Sequence, residues 1–227
     1  MCSSPTASTT KRGVDAVDRA LKIVSVFEAS AQPMTLAALA HETGLYKSTL
    51  LRLLASLEAS ALVVRRIDRR YALGPFAARL GRSFEKTYGL RQCVLPVLHW
   101  LIAQGTESPS FHVRHDDQRR LCVFRLDSSH STLDRVREGD LLPLSRGAGG
   151  TILRRFAGGL SSVPGQSLVI ASFGERDPSC AAAAAPIFGP AGELVGALSL
   201  SGPLERFSAA AVKKMSKPLL AGAERAT

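Results

Sequence analysis

Apolar residues recur at helical spacing in three successive segments between residues 15 and 60. Positions i, i+3, i+4 and i+7 fall on one side of a helix, so each segment predicts a helix with one buried stripe. The expected buried positions are Val17, Leu21 and Val24 with Ile23 and Phe27 beside them, then Leu36, Leu39 and Ala40, then Leu50, Leu53, Leu54 and Leu57. The pattern favours a small domain built on three helices.

Capping and turn residues divide the second of these helices from the third. Thr35 can cap the second helix, because a threonine side-chain oxygen accepts a hydrogen bond from a free N–H group of the first turn. Gly44 is expected to end it, because glycine readily adopts the left-handed conformation of a helix C-terminus. Ser48 or Thr49 then opens the third helix. The two helices are predicted to form a helix-turn-helix.

The face of the third helix opposite its leucines carries hydroxyls and cations, and it has no acid before Glu58. Such a face suits the major groove of DNA, where the first residues of a helix meet base edges and the helix dipole attracts phosphate. The candidates for DNA contact on and before this helix are Thr35, Tyr46, Lys47, Ser48, Thr49 and Arg52.

A basic hairpin is predicted directly after the third helix. Two short β-prone runs, Leu62–Val64 and Tyr71–Leu73, flank the candidate phosphate contacts Arg65, Arg66, Arg69 and Arg70. A pair of leucine-rich helices alone is most often a packing unit, and four arginines on a loop are most often a solvated surface. Their occurrence together and in this order favours a winged helix-turn-helix over residues 14–74.

The rest of the chain is predicted to be a linker helix and an α+β domain. Gly74-Pro75 marks a boundary, and a linker helix over 75–89 carries Phe76, Leu80 and Phe84 on one stripe. The α+β domain is expected over residues 90–227. It should begin with a helix over 90–104, continue with strands from Ser108 onward and a short helix over 151–156, and end with a helix from Ser208 that frays after Pro218. Residues 1–13 are small and polar, and we expect a disordered tail there.

Composition narrows the classes of protein that fit. The chain of 227 residues carries a net charge of +10, which favours a polyanionic partner such as nucleic acid, although a basic membrane-surface protein would also show it. The sequence has no apolar run long enough to span a bilayer, so we expect a soluble, cytoplasmic protein. Four scattered cysteines and the pair His112 and His115 do not form a metal-binding pattern, and neither a metal nor a cofactor is expected.

Two features in the second domain predict a pocket for a small organic acid. Backbone N–H groups of Gly147, Ala148 and Gly149 can meet an anion at the start of a helix, with the charge of Arg146 nearby. Ser199 and Ser201 alternate with leucines along a strand, so both hydroxyls lie on one face. The alternatives are a tight strand-to-helix turn and serines on the solvent side of an edge strand. The charged turn at Glu175 is either a pocket wall or solvated.

Catalysis is not expected. The sequence has no nucleophile elbow of the G-x-S-x-G type, and its glycine-rich stretch lacks the G-K-[ST] ending of a Walker loop. It also has no G-x-G-x-x-G behind an early strand.

The chain resembles the IclR-type bacterial transcriptional regulators from about Val14 to Leu219. The segments that carry the resemblance are VDRALKIVSVFEA, TLAALAHETGLYKSTLLRLLASLEASALV, RRYALG, VREGDLLPLSRGAGG and FGERDPSCAAAAAPIFGPAGELVGALSLSGPLERFS. The resemblance implies a winged helix-turn-helix, a linker helix and a GAF/PAS-like sensor domain, α+β overall. It also implies operator binding as a homodimer or homotetramer, and an effector site at Arg146, Gly147, Ala148, Gly149, Glu175, Ser199 and Ser201.

The sequence departs from the family pattern in two places. Gly150 stands where many members have lysine. Only ten residues separate Phe156 from Ser167, where members commonly have a considerably longer segment that covers the sensor domain. We therefore expect a transcriptional regulator with a shortened sensor domain, modulated by a small organic, potentially aromatic, acid. Two alternatives stay open: a second domain that only oligomerises, and a small-molecule-binding enzyme-like GAF protein.

Overall fold

The computed structural model describes residues 13–30, 32–87, 89–130, 132, 134–160, 165 and 167–226. The chain divides into two compact units, Met1–Tyr88 and Gly89–Thr227. Apart from Gly13, the predicted disordered tail lies outside the described residues.

The described part of the first unit contains four helices and a two-stranded sheet. Its elements are α1 (Asp15–Ser30), α2 (Leu36–Thr43), α3 (Lys47–Ala59), β1 (Val63–Arg65), β2 (Tyr71–Leu73) and α4 (Pro75–Thr87). Its core contains the predicted stripes of α2 and α3, together with Ile23, Phe27, Val63 and Tyr71. The stripe predicted for α1 is wrong in part, because Val17 and Leu21 are 53% and 58% exposed while Ile23 and Phe27 are buried.

The helix-turn-helix is built as the local signals predict. The Thr35 side chain accepts a hydrogen bond from Ala38 N–H at 3.1 Å, and Gly44 ends α2 with a φ of 67°. The start of α3 differs slightly, since the helix begins at Lys47 with Tyr46 at its N-cap and no side-chain cap.

The second unit is an antiparallel sheet with helices on both faces. Its elements are α5 (Leu90–Ala103), β3 (Ser108–Arg114), β4 (Arg119–Arg125), β5 (Leu141–Pro143), α6 (Ala148–Arg155), β6 (Ile170–Phe173), β7 (Cys180–Phe188), β8 (Leu194–Pro203) and α7 (Ala209–Arg225). The strand order is β5-β4-β3-β8-β7-β6.

The two faces of this sheet differ in chemistry. On one face Leu198, Leu200 and Phe111 pack in a large apolar core with α5 and α7. On the other face α6 packs through Ile152, Leu153 and neighbouring apolar residues against Ala184 and Ala197. The alternation along β8 therefore directs Ser199 and Ser201 to the α6 side, as the sequence predicts.

Two predicted helix boundaries are wrong. The short helix begins at Ala148 rather than Thr151, so Gly149 and Gly150 belong to its first turn. The last helix continues through Pro218 to Arg225, because Met215, Leu219, Gly222 and Ala223 are buried and hold both halves in the core. Of the shortened segment 157–166, residues 161–164 and 166 lie outside the described residues.

Candidate functional site

The N-terminal part of α3 presents a polar surface to solvent. Lys47, Ser48 and Arg52 are exposed, Thr49 is half-buried, and the ring of Tyr46 is 85% exposed. The opposite side holds the buried Leu50, Leu54 and Leu57, so the core fixes which side chains face outward. Thr35 is exposed as well, but its side-chain oxygen already caps α2.

The hairpin formed by β1 and β2 carries four exposed arginines. The strands pair antiparallel, with Arg65 opposite Tyr71, and the Arg65 guanidinium lies 5.7 Å from the centre of the Tyr71 ring. Asp68 Oδ1 accepts a hydrogen bond from the Arg70 N–H at 3.2 Å, which holds this one acid of the loop within the turn. Arg66 and Arg69 complete a cationic tip.

A small cavity lies in the second unit, between the polar face of the sheet and the start of α6. Its volume is about 30 Å³, room for about two water molecules. The residues that line it are His112, Arg120, Asp134, Val136, Leu142, Gly147, Ala148, Gly149, Ser172, Glu175, Arg176, Cys180, Ala181, Ala182, Ser199 and Ser201. Six of the seven predicted effector-site residues are therefore brought together here.

The exception is Arg146, whose side chain is exposed and does not line the cavity. Arg146 contributes only its carbonyl oxygen, which accepts a hydrogen bond from Arg120 Nη1 at 2.8 Å.

The glycine-rich turn already has acceptors for two of its N–H groups. Gly147 N–H donates to Glu175 Oε2 at 3.0 Å, and Ala148 N–H donates to Ser172 Oγ at 2.8 Å. The Glu175 carboxylate therefore occupies the position predicted from the sequence for a ligand anion.

Ser199 and Ser201 are 4% and 7% exposed, and β8 lies in the interior of the sheet. This excludes the alternative of solvated serines on an edge strand. Ser201 Oγ accepts a hydrogen bond from Arg125 Nη1 at 3.2 Å, so its hydroxyl belongs to a buried polar network.

Three arginines and one fully buried carboxylate dominate the charge around the cavity. Asp134 pairs with both Arg125 Nη2 and Arg176 Nη2, the latter at 3.3 Å, and Arg125 Nε donates to Asp127 Oδ1 at 2.9 Å. Two of the three cations therefore have carboxylate partners.

Arg120 is the third cation, and it has no carboxylate partner among the described residues. It is 4% exposed, its Nη1 donates to the carbonyl oxygens of Pro143 and Arg146, and its Nε is buried without a hydrogen-bond partner in this part of the chain. Burial and the neighbouring Arg176 lower the pKa of Arg120 to about 10. A buried cation of this kind is stabilised by an anion.

The departure from the family pattern at Gly150 has a steric cause. A Cβ atom at this position would lie 2.6 Å from Arg120 Nη1 and 2.5 Å from the Leu144 carbonyl oxygen. Glycine at 150 thus leaves the space in which the Arg120 guanidinium lies.

His112 is the second cavity residue with an open hydrogen-bonding position. Its Nε2 shares a hydrogen bond of 2.9 Å with Ser110 Oγ, while its buried Nδ1 has no partner among the described residues. Burial, followed by the charges of Arg120, Arg125 and Arg176, lowers the pKa of His112 well below its ordinary value of 6.5. The ring is therefore neutral near pH 7 and can donate or accept one hydrogen bond at Nδ1.

Sequence reasoning missed Arg120, His112 and Ser172 as cavity residues. The available signal was weak, because Arg120 is one of three arginines in β4 and differs from Arg119 only in lying on the strand face of Cys122. Nothing in the local pattern shows that β3 and β4 bring Arg120 and His112 to the same side.

The described helices include none that is long and apolar enough to cross a membrane. Within the same residues, histidine, cysteine, aspartate and glutamate do not form a group suited to a metal ion.

Comparisons with known proteins agree with this architecture. Residues 16–66 match the IclR helix-turn-helix domain family, while no curated protein matches the chain. The fold is similar to that of an IclR transcriptional regulator from Silicibacter sp. (TM-score 0.79, 20% identity, covering 93% of this chain and 94% of the other). An IclR regulator from Alicyclobacillus acidocaldarius gives a TM-score of 0.75 at 22% identity, covering 95% and 98%.

A third solved structure was determined with a ligand. It is an IclR homologue from Microbacterium hydrocarbonoxydans complexed with 4-hydroxybenzoate, with a TM-score of 0.77 at 18% identity, covering 93% of this chain and 99% of the other. At these identities the likeness establishes the fold.

Proposed function

We propose that this chain, whose residues 16–66 match the IclR helix-turn-helix domain family and whose fold is similar to that of IclR regulators, is a cytoplasmic transcriptional regulator whose operator binding responds to a small organic acid. The observation that carries DNA binding is that Lys47, Ser48 and Arg52 are exposed on the outward face of α3, in the same unit as the cationic tip of the hairpin. Lys47, Ser48, Thr49 and Arg52 contact the major groove, and Arg65, Arg66, Arg69 and Arg70 contact flanking phosphates.

The test uses duplex DNA selected from a randomised pool by the full-length protein. Arg52→Ala and the double variant Arg69→Ala/Arg70→Ala should each weaken binding, and each lost phosphate contact lowers the slope of log affinity against log salt by about 0.9. Arg154→Ala, an exposed arginine on α6, is the control and should leave both quantities unchanged. Equal affinity of both variants and the parent at one salt concentration would contradict the proposed interface.

The proposed effector is a small carboxylic acid whose carboxylate pairs with Arg120. Among the described residues, this buried guanidinium has no carboxylate partner, and the buried Nδ1 atom of His112 has no hydrogen-bond partner. Ser199 and Ser201 add hydroxyls to the same cavity. The carboxylate would compensate the buried charge of Arg120 and displace Glu175 from the Gly147 N–H group.

The cavity sets the size of the acid. A volume of about 30 Å³ does not accommodate an aromatic ring, so 4-hydroxybenzoate, which the Microbacterium homologue binds, would require the cavity to open. Even acetate, with four heavy atoms, is larger than two water molecules, so the proposal favours a small aliphatic acid because it requires the cavity to open least.

Thermal-shift screening of acetate, glyoxylate, pyruvate, oxalate and 4-hydroxybenzoate tests this proposal. An acid that binds should raise the melting temperature of the parent and of Arg154→Met, but not that of Arg120→Met. Ser199→Ala/Ser201→Ala should reduce the shift without removing it. If no acid stabilises the folded parent, the alternative of a second domain that only oligomerises is favoured.

Assembly into a homodimer or homotetramer is part of the proposal. Val17 and Leu21 of α1 are exposed in the single chain, as is Val14 just before this helix, and so are Leu80 and Phe84 of α4. A second copy that covers these side chains would remove apolar surface from water. Analytical ultracentrifugation of the parent and of Leu80→Glu/Phe84→Glu tests this, with dissociation of the variant as the expected result.

A further inference from the structure

The apex of the hairpin carries an apolar side chain that is not buried in the single chain. Ile67 is fully exposed, between Arg66 and Asp68. Single exposed hydrophobic residues are common on protein surfaces. Ile67 differs from them in its position, because it lies at the tip of a turn that is surrounded by four arginines.

The turn is held in one conformation by backbone hydrogen bonds. Arg66 N–H donates to the Arg70 carbonyl oxygen at 2.8 Å, and Arg69 N–H donates to the Arg66 carbonyl oxygen at 3.0 Å. Ile67 and Asp68 are therefore the two central residues of a tight turn. The Asp68 side chain accepts from Arg70 N–H, which further restricts the loop.

Arg69 occupies a conformation that usually belongs to glycine. Its φ is +63°, the left-handed region, at the position where a hairpin of this type normally carries glycine. A side chain at such a position is unfavourable for the turn itself, and this kind of outlier is typical of a functional site. The chain thus keeps a guanidinium directly beside the apolar apex.

From these observations we propose that Ile67 inserts into the minor groove of the bound DNA as a wedge at one base step. Proteins that enter the minor groove combine arginines, which follow its negative potential, with an apolar side chain that partly unstacks two bases and kinks the duplex. Arg65, Arg66, Arg69 and Arg70 supply the cations, and Ile67 supplies the wedge. The inference rests on the proposed function, since it needs DNA bound by this domain.

The wedge adds a second source of specificity. Pyrimidine–purine steps, above all TA and CA/TG, unstack more easily than others. The hairpin should therefore select a deformable step at a constant distance from the bases contacted by α3, without hydrogen bonds to that step.

The experiment uses the duplex selected by the parent from a randomised pool, with 2-aminopurine placed in turn at each flanking step. Binding of the parent should raise the fluorescence at one step, because unstacking removes the quenching of this base. Ile67→Ala should remove that rise, reduce DNA bending measured by energy transfer between end labels, and weaken binding about tenfold. Ile67→Leu should retain all three effects.

Salt dependence separates the wedge from the cations around it. Ile67→Ala should leave the slope of log affinity against log salt unchanged, whereas Arg66→Ala should lower it by about 0.9. Val64→Ala, an exposed apolar position on β1 away from the tip, is the matched control and should behave as the parent. Circular dichroism melting should be the same for Ile67→Ala and the parent, since the Ile67 side chain is fully exposed and packs against none of the described residues.

Three results would overturn the inference. In the first, Ile67→Ala binds and bends the duplex as the parent does. In the second, the parent enhances 2-aminopurine fluorescence at no step. In the third, Ile67→Ala changes only the oligomeric state, which would assign the apex to a protein contact. If the parent binds DNA and any of these results is found, only the wedge is contradicted and the proposed regulatory function stands. If the parent selects no duplex, both the wedge and the proposed function are contradicted.

Discussion

Arg120 and His112 both border the space that a side chain at Gly149 would fill. A Cβ atom at Gly149 would be 3.7 Å from both Arg120 Nε and His112 Cδ2. Each residue is more than nine-tenths buried and retains one polar atom without a partner among the described residues. At the residue scale, the cavity is therefore a site whose polar groups are incompletely satisfied, and an anion with two oxygens would complete both.

Neutral His112 makes the stability of the protein depend on pH. Its pKa in the folded state is well below 6.5, while in the unfolded chain it is near 6.5, so below that pH the unfolded chain binds more protons. Above about pH 7 this group therefore does not change the free energy of unfolding. As the pH falls from there toward the folded-state pKa, the free energy of unfolding decreases by up to about 1.4 kcal/mol per pH unit.

Urea unfolding of the parent and His112→Asn between about pH 7 and about pH 5 measures this effect. The difference in free energy of unfolding between the two proteins should shift in favour of the variant as the pH falls. His115→Asn, an exposed histidine, serves as the control. A pH dependence that is the same in all three proteins would contradict the burial of a neutral imidazole.

At the scale of elements, packing decides where a helix ends. Pro218 lacks an N–H group and disfavours the preceding turn, yet α7 runs through it. The burial of Leu219 and Gly222 beyond the proline explains this, because a Cβ atom at Gly222 would lie 3.1 Å from Val97 of α5. The second half of α7 is thus fixed against α5 by close contact.

Pro218→Ala should stabilise the protein by about 2 kcal/mol. The substitution restores one backbone hydrogen bond in a helix interior, and a gain in unfolded-state entropy offsets a smaller part of that effect. Pro190→Ala, in the turn between β7 and β8, should instead destabilise by about 0.4–1 kcal/mol. Chemical denaturation of both variants checks the contrast, and a destabilised Pro218→Ala would mean that α7 requires the proline.

At the scale of the whole molecule, the protein combines a DNA-binding unit with a unit that contains the cavity. If a carboxylate bound at Arg120 changes the affinity for operator DNA, the two equilibria are linked. The DNA must then change the affinity for the carboxylate by the same factor, typically about 5- to 150-fold.

Two titrations test this reciprocity. Carboxylate binding is measured by calorimetry with and without the selected duplex, and DNA binding is measured by fluorescence anisotropy with and without the carboxylate. Arg52→Ala should bind the free carboxylate with the affinity of the parent, since it alters only the proposed DNA-binding surface. A carboxylate that binds the parent and leaves DNA affinity unchanged would show a site without regulatory coupling.

The sequence by itself determined the elements whose causes are local. The stripes of α2 and α3, the cap at Thr35 and the left-handed Gly44 follow from periodicity and from the conformations that single residues prefer. The common face of Ser199 and Ser201 follows in the same way, because the side chains of a strand alternate. Periodicity identifies the apolar side of a helix but does not show what covers it. Val17 and Leu21 lie on such a side of α1 and are nevertheless exposed.

Only the tertiary structure decided the chemistry of the cavity. Its lining comes from distant parts of the chain: Arg120, His112, Ser172 and the glycine-rich start of α6. The three strand residues are brought together because β3 pairs with β4 and β8, while β6 pairs with β7. The same packing places the Glu175 carboxylate on Gly147 N–H and leaves Arg120 without a carboxylate partner among the described residues. Strand register and burial depend on contacts across the whole sheet, and for this reason no local pattern in the sequence contains them.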